Sequence, residues 1–152
     1  METAAVHGSE IERLVETARQ QGTADSCVGR RRWTRYNLGM SLEVTTDRSR
    51  VAGSQVVRMH NVSGGGMGFW APEEMPRGSR VSVREYGEKE LGTWLDGVVS
   101  YCAPGIDGYL IGVEFDYPAP PDLGYWAREE SRDGDQTVLT VARRLRQLIP
   151  LG

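Results

Sequence analysis

The stretch at residues 109–115, YLIGVEF, alternates with a period of two. Its odd-numbered positions hold Tyr, Ile, Val and Phe, whereas its even-numbered positions hold Leu, Gly and Glu. Successive side chains of a strand point to opposite faces of a sheet, so this pattern predicts a β-strand with one face on a core. Val81 and Val83 alternate with polar residues in the same way.

The same type of pattern extends over the middle of the chain. We expect strands near residues 37–46, 50–60, 66–70, 79–86, 92–102 and 108–116. Segments with turn chemistry separate several of them: APEEMPRG, YGEKELG and APGIDG. About six short antiparallel strands favour a mainly β domain that forms a small closed or split barrel, because closure removes exposed sheet edges.

Helical patterns flank this region. Ser9 and Glu12 match a capping box, and apolar residues then follow at helical spacing until Gly22, which predicts a short N-terminal helix. Residues 22–29 are predicted to be a flexible linker. A C-terminal helix is predicted after a cap at Asp135, with the arginines of its last turns on a solvated face. The predicted organisation is therefore 1–29, a barrel at 30–118, and a helical extension at 119–152.

The composition is that of one soluble domain of 152 residues with a formal net charge of −3. The chain contains no apolar run of the roughly 18 residues that a membrane span needs. Its N-terminus is polar and acidic, unlike a secretory signal. Cys27 and Cys102 fit no metal or redox spacing, so we expect free thiols and a cytoplasmic protein.

Catalysis has little support in the sequence. His7 is predicted to lie in a frayed N-terminus, which leaves His60 as the other histidine of the chain. No Ser-His-Asp order and no metal-ligand cluster is present, and Glu73 with Glu74 is expected to be solvated in a turn. We therefore expect a binding module without cofactor or metal rather than an enzyme.

Positive charge is concentrated before and within the first strands. Residues 28–60 contain seven arginines but only Glu43 and Asp47 as acids. Because seventeen of the 18 basic residues of the chain are arginine, the choice of arginine is not informative here, whereas its clustering is. The segment CVGRRRWTRYN, residues 27–37, is thus expected to meet an anion.

A glycine cluster, NVSGGGMGF at residues 61–69, follows the second predicted strand. It lacks the GK[ST] ending of a P-loop, and GxGxxG does not fit between strands this short. Taken alone, it is typical of a flexible hairpin turn.

Together, the two segments resemble the PilZ domain family of bacterial cyclic di-GMP receptors. Arg31 and Arg35 form an RxxxR pair, and Asn61, Ser63 and Gly66 form an NxSxxG set that precedes the IGVEF strand. The resemblance covers roughly residues 30–116 and implies a six-stranded antiparallel PilZ-type β-barrel, in agreement with the strand pattern. It also implies cyclic di-GMP as the anion.

The resemblance further implies a role for each motif residue. Arg31 and Arg35 would clamp phosphate and guanine, because the arginine fork suits both. Asn61 would bind a guanine edge, and Ser63 would supply a hydroxyl and help to fix the turn. Gly66 would keep the backbone low where the ligand approaches. Asn61 stands where many members carry aspartate.

The neighbouring residues have weaker assignments. Arg30 occupies a position linked to ligand stoichiometry in the family, so the resemblance suggests that an intercalated cyclic di-GMP dimer can be bound. Arg32 is expected either to contact the ligand or to be solvated. Trp33 is either a staple onto the barrel or a surface that covers a base. Gly64 and Gly65 are expected to make the turn more flexible. Arg58 and His60 are expected to be ordinary strand residues.

A mechanism follows from the charge pattern. Four neighbouring arginines repel each other, so the unliganded segment should be extended, and a bound anion should order it. A downstream protein or a second copy of the chain would read the change. Two alternatives remain open: a ligand-independent PilZ-fold adaptor, and a barrel that binds single-stranded nucleic acid, which the acidic net charge disfavours.

Overall fold

The computed structural model describes residues 2–25, 32–47, 53–87 and 92–121. Within these ranges, one long helix, α1, precedes eight strands in chain order. The elements are α1 (Glu2–Gln21), β1 (Thr23–Ala24), β2 (Tyr36–Asn37), β3 (Ser41–Thr45), β4 (Gln55–Val62), β5 (Gly66–Ala71), β6 (Arg80–Glu85), β7 (Leu95–Pro104) and β8 (Tyr109–Phe115).

Six of these strands close into an antiparallel barrel. Their order around the barrel is β4-β3-β6-β7-β8-β5, and β5 pairs back with β4. The two-residue strands β1 and β2 extend the sheet from β4, where β2 pairs with the end that carries Asn61. The predicted six-stranded barrel is therefore confirmed, and β1 with its pairing is an addition that the sequence did not indicate.

The strand bounds differ from the prediction in a few places. The strand expected at 37–46 is divided into β2 and β3, with Leu38–Met40 between them. The strand expected at 50–60 continues to Val62, so Asn61 belongs to β4 rather than to the turn after it. A bulge between Met59 and Asn61 interrupts the β4–β5 register there and locally re-aims the side chains that follow it.

The N-terminal helix begins earlier than predicted. Ser9 lies inside α1, so the capping-box interpretation is wrong; the alanine-rich turn before it continues the helix because alanine has a high helix propensity. His7 is buried, with 3% of the residue exposed, and its ring packs edge-on against Tyr117 with 5.1 Å between the ring centroids. The prediction of a frayed N-terminus at His7 is therefore also wrong. Gly22 does end the helix, and its N–H donates to the carbonyl of Ala18 at 2.8 Å.

The core fills the barrel and extends to α1. Inward-facing residues of the six barrel strands, among them Phe69 and Ile111, are fully buried, and Ile11, Leu14 and Ala18 of α1 belong to the same cluster. Burial of apolar surface of this kind is the main favourable term in folding. The helix is thereby attached to the barrel as part of one hydrophobic core.

Polar contacts also attach α1. Glu10 accepts hydrogen bonds from Arg13 and from the backbone N–H of Thr93, and Arg13 also donates to Glu85 of β6 at 2.7 Å. The hydrogen bonds of Arg13 to Glu10, first, and to Glu85 raise the pKa of its guanidinium, although burial acts in the other direction. The predicted C-terminal helix lies outside the described residues, and the three residues of the extension that are described, 119–121, are not helical.

Candidate ligand-binding site

A cavity of about 650 Å³ lies against the outer face of the barrel. Both halves of the predicted site contribute to its lining: Arg32 and Arg35 from the arginine segment, and Asn61, Ser63 and Gly66 from the end of β4 and the start of β5. Arg30 and Arg31 lie outside the described residues, so their predicted roles stay predictions. Arg32, expected to be a less certain contact, lines the cavity beside Arg35.

Asn61 reaches the cavity because of its strand pairing. It lies opposite Asn37 of β2 on one side and Gly68 of β5 on the other. A Cβ atom at Gly68 would come within 2.8 Å of the Asn61 Oδ1 atom. Gly68 therefore leaves the space that the amide of Asn61 occupies.

Ser63 fixes the turn between β4 and β5. Its N–H donates to the carbonyl of Gly66 at 2.8 Å, and its Oγ accepts from the Gly65 N–H at 3.2 Å and lies 3.3 Å from the Gly66 carbonyl. The side chain is buried, with 8% of the residue exposed. The predicted structural role of this hydroxyl is thus visible, whereas its contact with a ligand stays a prediction.

The structure explains the glycine at position 66 by a different constraint from the predicted one. A Cβ atom at this position would collide with the carbonyl oxygen of Val113 in β8. Because that oxygen belongs to the backbone of a paired strand, it cannot move away without disturbing the β5–β8 register. The absence of a side chain at Gly66 is required by the barrel itself.

Trp33 packs on the glycines of the same turn. Its ring fills the space that Cβ atoms at Gly64 and Gly65 would need, and its Nε1–H donates to the carbonyl of Ala119 at 2.8 Å. The Ala119 N–H in turn donates to the carbonyl of Gly64 at 2.7 Å. Trp33 is therefore a staple, and Gly64 and Gly65 accommodate it rather than loosening the turn.

The arginine segment is held at both described ends. Ala24 of β1 pairs with Tyr36 of β2, and the Asp25 N–H donates to the carbonyl of Arg35 at 3.0 Å. The linker expected at residues 22–29 is therefore ordered over 22–25, where a Cβ atom at Gly22 would collide with the carbonyl of Asn37; residues 26–29 lie outside the described residues.

The sequence analysis assigned no site role to three polar lining residues, Ser100, Tyr101 and Glu114, or to Met67, Gly112 and Val113. Tyr101 lies opposite Gly112 in the β7–β8 pairing, and its ring occupies the space of a Cβ atom at Gly112. Glu114 points outward two residues further along β8. The one sequence signal for this part of the site is Gly112, a glycine among the outward-facing positions of YLIGVEF. It indicates space for a neighbouring side chain, but the sequence does not show that Tyr101 of β7 fills that space.

The polar side chains around the cavity differ from the ion pairs found elsewhere on the barrel, such as Arg84 with Glu43. Within the described ranges, no hydrogen bond or ion pair is formed by the side chains of Arg32, Arg35, Asn61, Tyr101 and Glu114. Arg35 and Asn61 are partly buried, whereas Arg32, Tyr101 and Glu114 are exposed, so all five side chains keep hydrogen-bonding capacity for a ligand. This convergence of unpartnered donors and acceptors is what a site for a polar ligand provides.

The opposite pattern is found in a second set of residues, which we call the paired side: Glu10, Arg13, Glu43, Arg84 and Glu85. Glu43 accepts hydrogen bonds from Ser54 at 2.6 Å and Arg84 at 2.7 Å. These contacts, that with Ser54 first, lower the pKa of the Glu43 carboxyl although its burial acts in the other direction. Arg84 also lies 4.2 Å from the ring centroid of Trp94.

Arg58 and His60 lie on β4 outside the cavity lining. The Arg58 guanidinium lies over Gly39, and the His60 ring meets Trp70 edge-on at 5.6 Å. In the part of the chain that the structure describes, no group of side chains forms a metal site. Among the same residues, no helix has both the length and the apolar character needed to cross a membrane.

Comparison with solved structures found several PilZ proteins at low identity. The PilZ domain of YcgR from Escherichia coli, solved with c-di-GMP, is 17% identical, with a TM-score of 0.44 over 78% of this chain and 95% of that one. The inhibitor of motility MotI/DgrA of Bacillus subtilis is 15% identical, with a TM-score of 0.45 over 80% of this chain. This chain spans 53% of the MotI/DgrA structure.

A tetrameric PilZ-domain protein of Xanthomonas campestris is 20% identical, with a TM-score of 0.35 over 62% of this chain and 47% of that one. A search of curated proteins found no significant match. The sequence model of the PilZ domain matches residues 29–125, which include the whole barrel and both segments that line the cavity. The chain therefore belongs to the PilZ domain family.

Proposed function

We propose that this chain is a receptor that binds cyclic di-GMP in the cavity between the arginine segment and the β4–β5 turn. The observation that carries the proposal is that Arg35 of the first motif and Asn61, Ser63 and Gly66 of the second line one cavity. The side chains of Arg35, Asn61 and Glu114 there lack partners within the described residues. A volume of about 650 Å³ is within the range of roughly 300–1,000 Å³ typical of small-molecule sites. Family membership supports the same ligand class.

The arginines would bind the charged part of the ligand. A planar guanidinium can hold two phosphate oxygens, or the O6/N7 edge of guanine, with two parallel hydrogen bonds. Arg35 is half-buried and its backbone is tied to Asp25, so its position is restricted before binding. Arg31 would act with it, and Arg32 would add a third positive charge from the exposed rim.

The barrel would bind the bases. Asn61 can donate and accept hydrogen bonds through its amide, and Gly68 leaves room for it. The Tyr101 ring lies over Gly112 and is 37% exposed, so it offers a flat surface for stacking. Gly66 and Ser63 would hold the turn that separates these contacts from the arginines.

Ligand binding would order the arginine-rich loop and change two connected parts of the molecule. The loop continues through β1 into α1, and Trp33 contacts the chain near its exit from the barrel at Ala119. Relief of repulsion among the arginines by two phosphates would favour a loop closed over the ligand. A downstream protein, or a second copy of the chain in a homodimer, would read the new surface.

Arg30 would determine the number of ligands bound. A further arginine next to the pair could hold a second cyclic di-GMP molecule intercalated with the first. Titration calorimetry would then give two ligands for each wild-type chain and one for Arg30→Ala. A ratio of one in both proteins would contradict this assignment.

Titration calorimetry on the full chain with cyclic di-GMP tests the function itself. We expect wild-type binding in the low-micromolar range or tighter, at least tenfold weaker binding in Arg35→Ala and in Asn61→Ala, and no change in Arg77→Ala, an exposed arginine outside the cavity lining. Unchanged binding in the first two variants would overturn the site. Absence of binding by the wild type would overturn the ligand and favour the adaptor.

A further inference from the structure

Glu114 is an unexpected lining residue for a site that would receive a ligand with two phosphates. It lies on the outward face of β8, exposed, between Gly66 of β5 and Val98 of β7. Its carboxylate faces the same cavity as Arg32 and Arg35 but forms no ion pair with either, or with any other residue that the structure describes. A negative charge here would repel a phosphate at short range.

Two partly buried carboxylates of the barrel are paired. Glu85 of β6 forms an ion pair with Arg13. Asp116, two residues after Glu114, forms a bidentate ion pair with Arg80. Glu114 is exposed and unpartnered, so its carboxylate is available to a ligand group that donates hydrogen bonds without carrying negative charge. A carboxylate accepts two parallel hydrogen bonds best from two adjacent N–H donors.

Guanine presents such a pair of donors. Its N1–H and 2-amino group point in the same direction along one edge of the ring, whereas adenine has an acceptor lone pair at N1 and no 2-amino group. A carboxylate opposite adenine N1 would face another lone pair. The chemistry of Glu114 thus matches guanine and opposes adenine.

The surface next to Glu114 suits a flat base. Gly66 and Gly112 leave the outer faces of β5 and β8 without side chains there, and the Tyr101 ring lies over Gly112. Glu114 follows Gly112 by two residues on the same face, about 7 Å along the strand. A base stacked on Tyr101 would therefore bring its edge towards the carboxylate.

We propose that Glu114 selects guanine over adenine by accepting the hydrogen bonds of the guanine N1–H and 2-amino group. This inference rests on the proposed function, since it concerns the base specificity of the same cavity. It assigns the phosphates to the arginine side and one base edge to the β8 side. Selectivity then depends on a residue outside both sequence motifs.

The test compares wild type and Glu114→Gln with three ligands: cyclic di-GMP, cyclic di-AMP and the inosine analogue that lacks the 2-amino groups. Wild type should prefer cyclic di-GMP to the inosine analogue by about tenfold or more, as expected for loss of a charge-assisted hydrogen bond. The glutamine amide can both donate to adenine N1 and accept from its 6-amino group. Glu114→Gln should therefore bind cyclic di-GMP more weakly and cyclic di-AMP more tightly.

Two results would overturn the inference while leaving the proposed function intact. If Glu114 merely repels phosphates, the glutamine variant will bind all three ligands more tightly by the same factor. If the side chain contacts nothing, all three affinities will equal those of the wild type. Failure of wild type to bind cyclic di-GMP would instead remove the proposed function, and the inference with it.

Glu74→Gln is the matched control, since Glu74 is an exposed carboxylate in the segment after β5 and does not line the cavity. It removes the same charge and should leave the affinity order of the three ligands unchanged. Equal shifts in Glu74→Gln and Glu114→Gln would mean that only net charge matters, which would contradict the proposal. Urea unfolding of both variants checks that each retains wild-type stability.

Discussion

The paired side and the cavity contain similar residue types in opposite states. On the paired side, Glu43 is 7% exposed and is held by Ser54 and Arg84. Around the cavity, the side chains of Glu114 and Arg35 line the same space without bonding to each other or to other described residues. One barrel thus uses carboxylates and arginines in two different ways.

We interpret the difference as a division between charges that stabilise the fold and charges that would be available to a ligand. A charge with a hydrogen-bonded partner contributes to folding, and removing one member of the pair leaves the other unsatisfied. An unpartnered polar group contributes little to folding and keeps its hydrogen-bonding capacity for a ligand. Substitutions should therefore reduce stability on the paired side and affinity at the cavity.

Gly66 is expected to be the largest exception to this rule. It lines the cavity, but its substitution should reduce the stability of the barrel. Gly66→Ala places a Cβ atom against the Val113 carbonyl, and we expect a loss of about 3 kcal/mol in the free energy of unfolding. Urea denaturation measures it. Gly8→Ala is the control, because a Cβ atom there meets nothing within 4 Å and alanine favours the helix by about 0.5–1 kcal/mol.

If Gly66→Ala kept wild-type stability and lost only ligand affinity, the close approach of β8 would not be the reason for this glycine. The role implied by the family resemblance, a low backbone under the ligand, would then be the better explanation. The two measurements together separate a folding requirement from a binding requirement.

Glu43→Gln tests the paired side. We expect a loss of about 2 kcal/mol in the free energy of unfolding, because Arg84 and Ser54 lose a charged partner. Affinity for cyclic di-GMP should be unchanged. Glu114→Gln is the complementary variant, and its stability should stay within about 0.5 kcal/mol of the wild type.

The pH dependence of stability provides a second measurement at Glu43. Its pKa in the folded protein is lowered, chiefly by the Ser54 hydroxyl and also by Arg84, so the unfolded chain binds this proton more tightly. The stabilisation is fully present above the ordinary pKa of about 4.3 and is lost as the pH falls through the lower value of the folded state. Wild type should therefore lose more stability than Glu43→Gln between about pH 5 and pH 3. Equal losses would exclude Glu43 as the source.

Arg32→Ala should give the smallest effect and the clearest separation of affinity from stability. Arg32 is exposed, lines the cavity and has no partner among the described residues. We expect binding of cyclic di-GMP to weaken by about tenfold, with an unfolding free energy within about 0.5 kcal/mol of the wild type. Arg77→Ala should change neither quantity. If Arg32→Ala bound cyclic di-GMP with wild-type affinity, Arg32 would be a solvated side chain that does not contact the ligand.

The strands of the barrel could be predicted from the sequence because alternation is a local property. The segment 109–115 was predicted within one residue at each end, since its apolar positions face the core along its whole length. The start of α1 was predicted too late, because the cap signal at Ser9 competes with good helix formers before it. The two-residue strand β1 carries no pattern long enough to detect.

The site was predictable only in part, for a related reason. Arg35, Asn61 and Ser63 belong to short motifs that can be found along the chain. Tyr101 and Glu114 come to the cavity through β7–β8 and β5–β8 pairing, which no local pattern specifies. The structural reasons for Gly64, Gly65 and Gly66 likewise depend on neighbours distant in sequence.

The pairing of Ala24 with Tyr36 has a thermodynamic consequence for the arginine segment. Because residues 25–35 are closed into a loop by β1 and β2, much of the entropy of bringing their ends together is already lost when the protein folds. A ligand then has to restrict a short closed loop rather than a free N-terminal chain, so less of its binding energy is spent on ordering. The single residue Gly22 connects β1 to α1, and a Cβ atom there would collide with the carbonyl of Asn37. We therefore expect a displacement of the loop to act on the end of α1.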